Sequence, residues 1–157
     1  MGNVGAINEG KIQVMSAGTG VYHSEFNKNL DKHVNLLQLW VMPNKHNVEP
    51  RYDQKSVREL KKDNTFYQVL SPNKEDDGMW IHQDAWFHLG DFKKSQQTVY
   101  EIKKKGNGVY IFVIEGRFKV GNQVLNKRDA LGVWDTTKIP FISKSNSKVL
   151  LVEVPKY

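Results

Sequence analysis

Short runs rich in Val, Ile, Leu and aromatic residues recur along the chain, separated by clusters of Gly, Asn, Asp and Ser, while helical periodicity is scarce. That punctuation restricts the fold to an all-β sandwich or barrel. The clearest strands are predicted over residues 11–15, 36–41, 65–70, 109–114, 117–120 and 149–154. The runs at 36–41 and 109–114 are apolar at nearly every position, so both of their faces should be covered. Glu115-Gly116 and Gly121-Asn122 read as successive hairpin turns. Residues 54–62 offer at most a polar helical turn or two, and we place a domain boundary between residues 52 and 62.

At 157 residues with 39% apolar and 25% charged side chains, the chain can bury one core or two small ones. No stretch approaches the roughly 18–20 apolar residues that cross a bilayer, so no membrane partner is expected. The start of the chain shows neither a basic n-region nor an apolar h-region, and Cys is absent; both fit a cytoplasmic protein. Without Cys, any metal must be held by His, Asp or Glu. The net charge of +6 does not imply a nucleic-acid partner. Residues 1–58 hold 7 basic and 5 acidic side chains and residues 59–157 hold 16 and 12, interspersed and without a nucleic-acid-binding motif. Lys103-Lys104-Lys105 before Gly106 reads as a solvated hairpin tip.

A weak internal repeat lays residues 11–25 over residues 130–144. It sets His23 opposite Ile142 and Glu25 opposite Lys144. His23-Ser24-Glu25 is the sharpest chemical feature, because residues i and i+2 of a strand share a face and can ligate one ion. Imidazole plus carboxylate suits Fe(II), Mn(II), Ni(II), Cu(II) or Zn(II), but two ligands do not hold such an ion against water, and a plain solvent-facing strand gives the same pattern. His33, His46, His82 and His88 form no local metal motif with it. Gly18-Thr19-Gly20 lacks a third Gly and a following helix, so it reads as a tight turn. Trp40, Trp80, Trp86 and Trp134 are assigned to core and interface packing.

The string from Gln13 to Glu25, with its Met-Ser-Ala-Gly-x-Gly-x-x-His-Ser-Glu pattern, is followed by Leu-Gln-Leu-Trp at residues 37–40 and Pro-Arg-Tyr at residues 50–52. These motifs, continued through Ile81-His82-Gln83-Asp84 and Leu131-Gly132-Val133-Trp134-Asp135, resemble the pirin family of bicupins, nearest its bacterial quercetin 2,3-dioxygenase-like members. The resemblance implies two facing cupin barrels, each a double-stranded β-helix or jelly roll. The N-terminal barrel would hold one metal, usually iron, through three His and one Glu. His23 and Glu25 match the third and fourth ligands, and Glu25 is also the candidate catalytic base. The His-x-His pair that supplies the first two is not in this sequence, and Met1-Gly2-Asn3 resembles the hairpin between the two ligand pairs.

The expectation is therefore a partial N-terminal barrel over residues 1–58 and a complete C-terminal cupin domain over residues 59–157. In the latter, Ile102 and Lys104 stand at the His-x-His positions, and Ile142 with a buried Lys144 at the others, leaving that barrel without a metal. The resemblance implies flavonol ring cleavage with O2 on a small aromatic substrate in the intact family. This chain alone, lacking two ligands, is expected to be inactive, with no cofactor held at an incomplete site. A non-enzymatic binding or regulatory protein is the alternative. The incomplete barrel also predicts a homo-oligomer, with residues 1–52 at the interface.

Overall fold

The structure, a computed structural model, describes residues 5–156; the hairpin expected at Met1-Gly2-Asn3 lies outside the described residues. In chain order the strands are β1 Lys11–Ser16, β2 Arg51–Ser56, β3 Phe66–Ser71, β4 Met79–Trp80, β5 Trp86–Phe92, β6 Gln97–Glu101, β7 Asn107–Glu115, β8 Arg117–Val120, β9 Gln123–Asn126, β10 Ala130–Val133, β11 Lys138–Ser143 and β12 Ser147–Pro155. One 3-10 turn, Val57–Glu59, follows β2. The strands form a six-stranded sheet in the order β10-β7-β12-β5-β3-β4, a four-stranded sheet β6-β11-β8-β9, and the separate ribbon β1-β2. Two sheets facing one another in this way make the cupin jelly roll, an all-β fold as the residue pattern requires.

Alternation along the strands builds two cores on opposite faces of the large sheet. Val109, Ile111 and Val113 of β7 and Val149 and Leu151 of β12 point between the sheets. There they meet Phe118, Ile139 and Phe141 of the small sheet. Edge-to-face rings reinforce that core: Phe66 lies 5.0 Å from Phe141 and 5.2 Å from Phe92. On the outer face, Phe87, Leu150 and Val152 pack under Val14 of β1 and Val57, with Ile12 and Val41 against them. Residues 109–114 are thus covered on both sides except at Tyr110, which is half exposed.

Several sequence expectations are corrected here. Residues 36–41 form no strand. A strand needs a neighbouring edge, and this run pairs with neither β1 nor β2. Only Val41 reaches the core, while Leu36, Leu37, Leu39 and Trp40 are exposed. Residues 54–56 continue β2 rather than starting a helix, because Gln54, Lys55 and Ser56 pair with Gln13, Ile12 and Lys11. Gly116 turns a corner from the large sheet to the small one, so β7 and β8 are not a hairpin; Gly121-Asn122 is one, joining β8 and β9. Lys103–Lys105 likewise bridge the two sheets instead of capping a hairpin. Trp40 and Trp134 are 90% and 58% exposed and are not core residues. Residues 21–25, read as a strand in the repeat, have no ladder.

Candidate metal half-site and a buried carboxylate clamp

The ribbon places the His23–Glu25 pair. Ile12 and Val14 turn inward to the outer core, so Gln13 on β1 and its partners on β2, Gln54 directly opposite and Tyr52 diagonally, face outward. Gly18 permits the turn that follows: its φ is +55°, a Cβ there would fall 1.9 Å from the Val48 carbonyl oxygen, and Gly20 N donates to Ala17 O at 2.8 Å. The chain then returns over the ribbon's outer face. Gln13 Nε2 donates to Glu25 Oε1 at 2.9 Å, and that oxygen lies 3.9 Å from His23 Nε2. The Tyr52 hydroxyl sits 2.8 Å from Gln54 Oε1 and 3.3 Å from Gln13 Oε1, which fixes the amide that holds Glu25. The two ligand candidates come together as expected, though through a loop braced by Gln13 and not through a strand.

Their donor chemistry suits a divalent transition metal, but their number does not. Among the described residues no group of three His, Cys, Asp or Glu could hold a metal ion. His33 and His46 lie on exposed loops and His82 and His88 belong to the other half of the chain, so none joins His23. Two donors leave half or more of a four- to six-coordinate shell to water, and the described residues do not complete a site.

The four positions matched to ligands in the second half carry no donor set either. Ile102 packs against the inter-sheet core, and Lys104 pairs with Asp84 on the surface. Ile142 is half-buried, and Lys144 is exposed, contrary to expectation, because β11 ends at Ser143 and the chain leaves the barrel there.

The same barrel contains a buried polar network that the sequence reading missed. Glu153 on β12 is fully buried. It accepts from Lys103 N at 2.9 and 3.0 Å, Lys104 N at 2.9 Å, Asn107 Nδ2 at 2.9 Å and the Tyr100 hydroxyl at 2.9 Å. The Tyr100 proton goes to the carboxylate, so its oxygen accepts from His88 Nδ1–H at 3.3 Å, which fixes the tautomer of neutral His88. Burial, and then the Lys103 charge, push the His88 pKa down to about 3; burial and the neighbouring carboxylate push Tyr100 up. The network has no metal-like clustering; it clamps the 103–107 crossover between the two sheets. The available signal was a single acid inside the otherwise apolar run 149–154.

A second junction ties the ribbon to the barrel. The Arg51 guanidinium lies 3.9 Å over the Trp80 ring and its Nη2 donates to the Trp80 carbonyl, while Lys74 Nζ stands 4.5 Å from the same ring. Burial lowers the Arg51 pKa, with Asp53 opposing. His82, edge-on to Trp80 at 4.8 Å, is lowered by partial burial and by Lys45, Arg51 and Lys74. Gln83 Nε2 donates to Met42 O at 2.7 Å.

Comparison with known proteins places this geometry. Residues 68–154 match the quercetinase C-terminal cupin domain, and residues 1–41 match pirin. Quercetin 2,3-dioxygenase of Escherichia coli K12 is 33% identical over 155 residues, 99% of this chain and 65% of that protein. A putative quercetin 2,3-dioxygenase of Pseudomonas aeruginosa is 31% identical over 98% of this chain and 66% of its own length. The crystal structure of YhhW from E. coli superposes with a TM-score of 0.92 at 32% identity, covering all of this chain and 65% of that one. YhhW in complex with nickel(II) gives 0.86 at 32% identity over 94% of this chain and 62% of the other. The chain thus spans about 65% of the length of the curated relatives it matches. No helix of the described residues is long and apolar enough to cross a membrane. With one domain profile covering more than half of its residues and a second covering the segment that carries His23, the chain belongs to the pirin family of cupins.

Proposed function

We propose that this chain carries half of a divalent-metal site of the quercetinase type and does not oxidise flavonols appreciably by itself. The observation that carries this reading is the His23–Glu25 pair, braced by Gln13 on the open face of the ribbon, with no third donor among the described residues. The relative solved with nickel(II) supports a divalent transition metal as the occupant. The quercetin 2,3-dioxygenase relatives support a flavonol or similar small aromatic substrate; iron is the metal the pirin resemblance implies. Glu25 is the carboxylate of the pair able to accept a phenolic proton, and the Gln13 amide is the donor that orients it.

The test is reconstitution with Fe(II) or Ni(II) followed by desalting, metal analysis and oxygen uptake with quercetin. The expected outcome is well under one metal per chain and no turnover above the free-metal control. His23→Ala and Glu25→Ala should remove what retention there is. One metal per chain with sustained quercetin turnover would overturn the reading.

A further inference from the structure

The small sheet lies across the inter-sheet core from the ribbon, so its outer face is remote from His23, Glu25 and the stretch between β1 and β2. Phe118, Val120, Leu125, Ile139 and Phe141 point into that core, and the residues alternating with them point outward. Lys119 of β8 stands between Val124 of β9 and Ile142 of β11, and Pro140 of β11 stands beside Val99 of β6. Arg117 shares the outward face of β8, and Lys144 N donates to its carbonyl oxygen at 2.7 Å. Lys94 approaches from a turn fixed by Lys94 N on Asn146 Oδ1 at 3.0 Å and Ser95 N on Ser143 O at 2.9 Å. None of Lys94, Arg117, Lys119 and Lys144 forms an ion pair among the described residues. The one acid at an outward position of the sheet, Glu101, is held by Lys138 at 2.7 Å. Four unopposed cations thus stand beside four apolar side chains, of which Val99 and Val124 are half exposed.

We infer that this face docks an acidic segment of another protein, one that carries apolar side chains among its carboxylates. Charge complementarity sets the partner's sign. The apolar side chains select a polypeptide, because a phosphate backbone makes no use of Val99, Val124, Pro140 and Ile142, and no outward position of the sheet carries an aromatic ring on which a base could stack. They do not suit a lipid surface, since they are short and set into a sheet, with no long or aromatic group to enter the acyl region. Size sets the partner's extent. Four strands about 4.8 Å apart, the longest of six residues at about 3.3 Å each, give a face of roughly 15 by 20 Å. That is less than the roughly 800 Å² per partner of a standard interface, so the face takes a single peptide segment in a transient contact.

The test is binding of the full chain, with a chelator present, to a short labelled peptide in which Leu recurs among Glu residues. The same peptide with Ser for Leu, a short DNA duplex, and vesicles of phosphatidylcholine and phosphatidylserine are compared with it. The Glu–Leu peptide should bind at least about tenfold more tightly than the Glu–Ser peptide and loosen as salt is added. Lys119→Glu combined with Lys144→Glu, and separately Val124→Asp, should each weaken it about tenfold. Lys28→Glu combined with Lys32→Glu, the same change of charge between β1 and β2, should leave it unchanged, and every variant should keep the parent's circular dichroism. No binding of the Glu–Leu peptide at submillimolar concentration would overturn the inference. So would equal binding of the Glu–Ser peptide, tighter binding of the duplex or the vesicles, or indifference to the Lys119 and Lys144 changes.

Discussion

Glu153 shows how one residue can set the geometry of a barrel. Both carboxylate oxygens are occupied, and four of the five contacts come from the crossover between β6 and β7. Replacing it by Gln puts an NH2 group among donors that need an acceptor, at a fully buried site. Glu153→Gln should cost about 2–3 kcal/mol in urea unfolding and speed hydrogen exchange at the Lys103 and Lys104 amides; an unchanged stability would remove the clamp from the account. His88, one hydrogen bond further along, gives the network a pH signature. Its pKa is depressed in the fold, so below its ordinary 6.5 the unfolded chain takes up a proton that the folded chain refuses until about pH 3. Stability is therefore lost as pH falls from 6.5 toward 3, by about 2 kcal/mol at pH 5 from this group alone. His88→Phe should flatten that part of the stability–pH profile, and a profile as steep as the parent's would show that His88 does not titrate this way.

Among the elements, the ribbon is the one whose attachment is decided by few contacts. Val14 and Ile12 press on the outer core, and Arg51 adds its guanidinium over Trp80 and a hydrogen bond to the Trp80 carbonyl. Arg51→Ala should cost about 1–2 kcal/mol of docking. It should appear as faster hydrogen exchange in β1 and β2 while β7 and β12 keep their protection; uniform loss would mean that the ribbon and barrel unfold as one unit. The ribbon also shows why some elements were legible in the sequence and others were not. β7 and β12 are continuous apolar runs because both of their faces are covered. The second half of β2, Gln54-Lys55-Ser56, looks like a polar turn of helix because these side chains are polar and the outer face of the strand carries the Gln13–Tyr52–Gln54 contacts. Residues 36–41 read as a core strand from composition alone, but a strand is a property of two neighbours and this run has none. His23 and Glu25 were found through their spacing; Gln13 was not, because a neutral amide in a strand carries no signal until the loop above it is folded back.

At the scale of the whole molecule, one sheet serves two cores of unequal completeness. The inter-sheet core is sealed, with Ile111, Val113, Phe118, Val149 and Leu151 wholly buried, whereas the outer core is roofed by Ile12 and Val14 of the ribbon, Val57 of the 3-10 turn and Val41. Charge is divided along the same line, with the neutral face of residues 17–50 on the open side and the net +6 on the rest.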